Sequence, residues 1–169
     1  MKNIFVIIFI FFLISCSKKE DPIRDIPKNP LYQELQGKYE TNAILINNPV
    51  DINRDGIYSN NLLQEFEHAI TSSKNRLEIK SNELLNLELL TISFPYSSEE
   101  NFIDGKFYSD WVILGGEYEI DDNKLISEDT ILSSITLLDN KTIGVKGEIE
   151  LYTSEGWEMI EFSAVYEKR

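Results

Sequence analysis

Polar and apolar residues alternate with a period of two along most of the chain after Gly37. Tyr39, Thr41, Ala43 and Leu45 mark one face of a first strand. Leu77 and Ile79 alternate with Glu78 and Lys80, and Val112, Leu114, Gly116, Tyr118 and Ile120 share a face with Glu117 and Glu119 opposite. The cleanest run sets Ile143, Val145, Gly147, Ile149 and Leu151 against Lys146, Glu148 and Glu150, and Ile160, Phe162, Ala164 and Tyr166 end the chain in the same style. Successive side chains of a strand point to opposite faces, so each stretch predicts a strand with one buried and one wet side. Residues 84–94 and 131–138 are apolar enough for strands but ambiguous in phase. Turn-like clusters at Asn82-Glu83, Asp121-Asp122-Asn123 and Asp139-Asn140 separate seven or eight candidate strands.

Short strands with one polar face and no crossover helices predict an all-β, antiparallel up-and-down barrel of about eight strands. Closure removes the exposed edges of an open sheet; a two-sheet β-sandwich is the alternative. Two segments depart from period two. Leu31, Tyr32 and Leu35 before Gly37 fit one helical turn with a C-cap glycine. Between residues 47 and 72, Asn61 as N-cap with Gln64 three residues on, followed by Leu62, Leu63, Phe66 and Ile70 at helical spacing, predicts a short helix inserted after the first strand, lying over one barrel end.

The N-terminus has a different pattern. Lys2 precedes an apolar run of eleven residues at 4–14, roughly 16 Å of helix and about half of a ~30 Å hydrocarbon core, so this is a signal peptide over 1–15 rather than a span. Leu13-Ile14-Ser15-Cys16 resembles the lipobox of bacterial lipoproteins and ends on the chain's only cysteine. The resemblance implies lipidation of Cys16 and attachment to the membrane through that anchor, and multiple acyl chains would make it stable. Ser17 resembles outer-membrane sorting signals, and Lys19-Glu20-Asp21 resembles a surface-export signal of Bacteroidota lipoproteins, so the expected location is the outer membrane, on either its periplasmic or its outer side. Residues 16–30, with Pro22, Pro27 and Pro30 among charges, read as a lipidated N-terminus and flexible tether, and 31–169 as one domain.

Leu35-Gln36-Gly37-Lys38-Tyr39 leads through Gly-x-aromatic into the first strand, which resembles the start of a lipocalin barrel, where the aromatic is usually tryptophan. With the lipobox and the Asp/Asn-rich stretch 48–56, the chain is similar to the lipocalin-like lipoproteins of Bacteroidota. The resemblance implies a barrel that can hold a small apolar or amphipathic ligand, with cavity residues Tyr39, Val112, Leu114, Tyr118, Ile143, Val145, Phe162 and Tyr166. It also places Arg169 where lipocalins set a late basic residue packing on the aromatic.

Sixteen basic against 29 acidic side chains give a formal net charge of −13, which repels phosphate backbones and argues against nucleic acid as a partner. Asp51, Asn53, Asp55 and Gly56 reproduce the first half of a D-x-[DN]-x-[DN]-G calcium loop, in which alternate oxygens converge on a hard cation and glycine permits the turn. Ile57 could offer a carbonyl and Ser59 a water-bridged contact, but the twelfth position is Leu62, leaving Glu65 as a substitute carboxylate; weak calcium binding is the expectation, and no cofactor is otherwise implied. An Asp/Asn/Gly-rich turn that merely introduces the helix is the alternative. His68 is the only histidine and lies among glutamates, no Gly-x-Ser-x-Gly elbow is present, and carboxylate pairs such as Asp104 with Asp110 follow from an acidic composition, so no enzyme is expected. Two classes remain: a ligand-binding barrel, or an interaction or structural lipoprotein acting on an unidentified envelope partner through the aromatic loop 95–110, with Tyr96, Phe102, Phe107, Tyr108 and Trp111.

Overall fold

The computed structural model describes residues 30–66, 76–82, 84–85 and 87–169. The segment expected to be a signal peptide, Cys16, most of the expected tether, His68 and Ile70 lie outside the described residues. In chain order the elements are α1 (Pro30–Leu35), β1 (Gly37–Glu40), β2 (Ile44–Val50), β3 (Ser59–Asn61), α2 (Leu62–Glu65), β4 (Arg76–Asn82) and β5 (Leu87–Tyr96). They continue through β6 (Phe102–Ile103), β7 (Lys106–Phe107), β8 (Asp110–Asp121), β9 (Lys124–Ser127), β10 (Leu132–Asp139), β11 (Thr142–Thr153) and β12 (Gly156–Lys168).

Eight strands close a barrel in the order β1-β4-β5-β8-β9-β10-β11-β12, and β12 returns to β1 through Tyr39↔Lys168 and Glu40↔Glu167. Every pairing is antiparallel, so the fold is the lipocalin-like barrel rather than the sandwich. The inward residues of β4, β5, β8, β11 and β12 form one core cluster, with Leu77, Ile79, Leu90, Ile92, Leu114, Ile143, Val145 and Phe162 all buried. Among the described residues no helix is long and apolar enough to cross a membrane.

The first strand departs from its predicted face. Thr41 Oγ1 donates to the Ala43 carbonyl at 2.8 Å and accepts from the Ala43 amide at 3.3 Å, a local turn that separates β1 from β2. Past this turn the phase is inverted: Ile44 and Ile46 are buried, whereas Leu45 is 52 % exposed. β2 then pairs with β12 only from Ile46↔Phe162 to Ile44↔Ala164, and with β3 on its other side. The expected turn at 121–123 is present, with Asp122 in the left-handed region at φ 55°, and it leads into β9, a strand the sequence pattern did not mark.

One barrel end is closed by α1. Leu35 is fully buried there, the Tyr39 hydroxyl donates to the Leu35 carbonyl at 2.7 Å, and the Ile120 amide donates to the Tyr32 hydroxyl at 3.3 Å. The basic residue over the Tyr39 ring is Lys168, not Arg169: its Nζ lies 5.7 Å from the ring centroid, because Lys168 is the residue paired with Tyr39 across β1 and β12. Arg169 pairs instead with Glu40. The Lys168 stem runs close over Gly37, where the backbone is at φ 150° and a Cβ would stand 2.8 Å from Lys168 Cε.

The opposite end is covered by α2, the 51–58 loop and the β6–β7 hairpin. Phe107 packs edge-on against Phe66 at 5.5 Å and tilted against Phe102 at 5.2 Å. Phe102 also meets Tyr152, and the Arg54 guanidinium lies 3.9 Å from the Phe102 ring centroid. Such rings attract a cation over their faces, so the lid is held by stacking as well as by burial.

Candidate ligand site inside the barrel and the Asp/Asn loop at its end

All eight residues expected to line a cavity face the barrel interior. Tyr39, Leu114, Tyr118, Ile143, Val145, Phe162 and Tyr166 are buried in the common core, and Val112 packs against it half-buried. The interior is not uniform. In its middle the Phe94 and Phe162 ring centroids are 4.4 Å apart, and a Cβ on Gly147 would stand 2.7 Å from Phe162 Cζ and 2.3 Å from the Ile131 carbonyl oxygen. The space beside Gly147 is therefore taken by a ring. Gly116 differs: a Cβ built there meets no atom within 4 Å.

Toward α1 the lining becomes polar. Register places Ser81 opposite Glu88, and extends the β5–β8 ladder so that Tyr118 stands beside Glu88, and Ser127 opposite Tyr118. Ser81 Oγ donates to the Glu88 carboxylate at 2.6 Å and accepts from Gln36 Nε2 at 2.6 Å. Tyr118 is 4 % exposed, its ring is 5.7 Å from that of Tyr32, and its hydroxyl is buried without a hydrogen-bond partner. Burial, and then the nearby Glu88 charge, push the Tyr118 phenol well above its ordinary range. A buried hydroxyl without a partner is costly, and native proteins leave few. The sequence marked Tyr118 as lining but gave no sign of Ser81 and Glu88, because polar residues in an alternating strand read as the wet face.

At the other end, the 51–56 loop folds as a tight turn. The Gly56 amide donates to Asp51 Oδ2 at 3.2 Å, the Asp55 amide to Asn53 Oδ1 at 3.0 Å and the Ile57 amide to Asp55 Oδ1 at 2.7 Å. Glu65 is 2 % exposed, and its Oε2 accepts from the Ile52 amide at 2.9 Å. That bond makes Glu65 a clasp for the loop backbone in place of the twelfth ligand expected of it. Burial raises the Glu65 carboxyl, the amides of Ile52 and Asn53 lower it, and the Asp51 and Asp55 charges raise it further. Ser59 is also committed elsewhere: its Oγ accepts from the Asn61 amide at 3.0 Å and donates to Gln64 Oε1 at 2.8 Å. Asn61 Oδ1 accepts from the Leu63 amide, so the expected N-cap is present while Gln64 serves Ser59. Ile57 is exposed. Among the described residues no three His, Cys, Asp or Glu side chains come together as a metal cluster.

The aromatic loop 95–110 folds back onto the barrel. Tyr96 and Phe107, with Trp111 just beyond the loop, pack on the core, leaving Tyr108 and Ile103 as the loop's exposed large side chains. No family model matches the chain, and comparisons with curated proteins and with solved structures likewise find no match.

Proposed function

We propose that this chain is a lipid-anchored protein of the outer membrane whose barrel binds a small amphipathic molecule. The observations that carry the reading are the unpartnered Tyr118 hydroxyl and, two residues earlier on β8, the absence of any atom within 4 Å of a Cβ at Gly116. An apolar body would lie along Val112, Leu114 and Gly116, and a hydroxyl, carbonyl or amine on it would satisfy the phenol. Pockets of this kind are mostly apolar with a few placed polar groups that fix orientation. The anchor and the outer-membrane address rest on the lipobox at Cys16 and on Ser17. The folded-back loop 95–110 spends most of its aromatics on the lid, which favours this reading over a partner surface built from them.

Native mass spectrometry of protein extracted from the membranes that carry it tests the reading. Wild-type protein is expected to retain a small molecule that leaves on denaturation, and Tyr118→Phe protein to retain less. A bare polypeptide mass for the wild type, apart from its lipid, would reject it.

A further inference from the structure

The loop joining β2 to β3 carries a second unsatisfied group that the barrel site does not use. Asp51 is 5 % exposed, and while its Oδ2 accepts from Gly56, its Oδ1 is buried with no hydrogen-bond partner. A carboxylate oxygen removed from water needs a donor or a cation. Arg54, the cation nearest in sequence, is turned away: its guanidinium lies over Phe102, and its Nη2 is 3.5 Å from the Thr153 carbonyl. Among the described residues no lysine or arginine pairs with Asp51 or Asp55.

We propose that the 51–57 turn is a calcium site of low affinity, with Asp51 Oδ1 as its buried ligand. Asp51, Asn53 and Asp55 alternate around the turn, which closes through left-handed backbone at Arg54 (φ 61°) and Gly56 (φ 84°). Calcium takes six to eight oxygens in flexible geometry and accepts amide, carbonyl and water oxygens beside carboxylates. Two carboxylates, the Asn53 amide oxygen, main-chain carbonyls and water meet that demand without the third acid of a dedicated cluster. Magnesium requires a stricter octahedron at shorter distances, so it is the poorer fit. The turn is also tied to the lid, since the Asp51 carbonyl accepts from the Ser154 amide at 2.8 Å and Glu65 holds the Ile52 amide. Filling it would stiffen that barrel end.

Terbium luminescence and thermal melting of the full chain in detergent test the site. The guanidinium of Arg54, a residue of the turn, lies 5.2 Å from the Tyr152 ring centroid, and Tyr152 meets Trp157 edge-on at 5.3 Å, so Tyr152 can sensitise bound terbium. Terbium emission is expected on excitation of these rings, and millimolar calcium should displace it with an apparent Kd of about 10⁻⁴ to 10⁻³ M. Calcium at 10 mM should raise the melting temperature by about 6–11 °C, with a smaller shift for magnesium. Asp51→Asn should abolish both signals. Because that variant alters a buried group, Asp55→Asn, on the exposed side of the turn, serves as the second test and should weaken calcium at least about 5-fold while the apo melting curve stays in place. Emission that calcium does not displace, or that survives Asp55→Asn unchanged, would mean diffuse binding to an acidic surface and would overturn the proposal. So would identical melting curves with 10 mM calcium and with chelator.

Discussion

Two tyrosine-to-phenylalanine changes in the same barrel end should shift stability in opposite directions. The Tyr118 hydroxyl is buried without a partner, whereas the Tyr39 hydroxyl donates to the Leu35 carbonyl at 2.7 Å. A buried polar group left unsatisfied costs about 1–3 kcal/mol, so deleting the Tyr118 hydroxyl from ligand-free protein should stabilise the fold by about 1–2 kcal/mol. Deleting the Tyr39 hydroxyl orphans a buried carbonyl acceptor and should cost about 1–2 kcal/mol. For a domain of this size each kcal/mol corresponds to roughly 4 °C in melting temperature. The assay is thermal unfolding followed by circular dichroism on protein refolded from denaturant, which removes retained molecules. Tyr118→Phe is expected to melt about 4–8 °C above wild type and Tyr39→Phe about 4–8 °C below it. A Tyr118→Phe protein that melts at or below wild type would refute the reasoning, since the hydroxyl would then already be satisfied in the empty barrel.

Gly147→Ala should destabilise by about 1–3 kcal/mol in urea, because its Cβ would meet the Ile131 carbonyl oxygen at 2.3 Å and that neighbour is backbone. Unchanged stability would mean that β10 is free to move away. Burial first, and then the Glu34 charge, push Tyr39 up to about 12, and burial also raises Tyr118 and Tyr166. A phenol whose pKa is raised by folding contributes stability that is fully present below its unfolded value near 10 and is lost as pH rises above it. Stability should therefore fall by about 1.4 kcal/mol per pH unit per tyrosine between pH 10 and 12, and a flat alkaline profile would show that these rings are hydrated in the fold. Cys16→Ser should move the protein from the detergent to the aqueous phase on cloud-point partitioning; retention in detergent would remove the lipid anchor from the account.

Where burial alone decides the pattern, the barrel was legible from alternation. Ile143 to Leu151 and Ile160 to Tyr166 lie on the face their spacing assigned. The phase of β2 was not, because one hydroxyl at Thr41 takes both polar groups of Ala43 and shifts Leu45 to the outside, an event with no signature in hydropathy. β9 went unmarked because only Leu125 of its four residues is a buried apolar side chain. The same limit hid Ser81 and Glu88, the polar neighbours of Tyr118, although alternation did mark Tyr118 itself. Lys168 rather than Arg169 covers Tyr39 because strand register, which turn lengths and bulges set, decides which of two adjacent cations faces the ring. In the 51–56 loop the turn chemistry was readable at each residue, but whether Glu65 would face a cation or the loop amides depended on the angle at which α2 leaves β3.

Diffraction from crystals of protein purified from the cells that make it, without refolding, is the most direct measurement. Electron density for a small molecule should lie against Gly116, with a polar atom within hydrogen-bond distance of the Tyr118 hydroxyl. A core closed over by its own side chains at that position, with the phenol bonded to protein, would contradict the ligand-binding barrel.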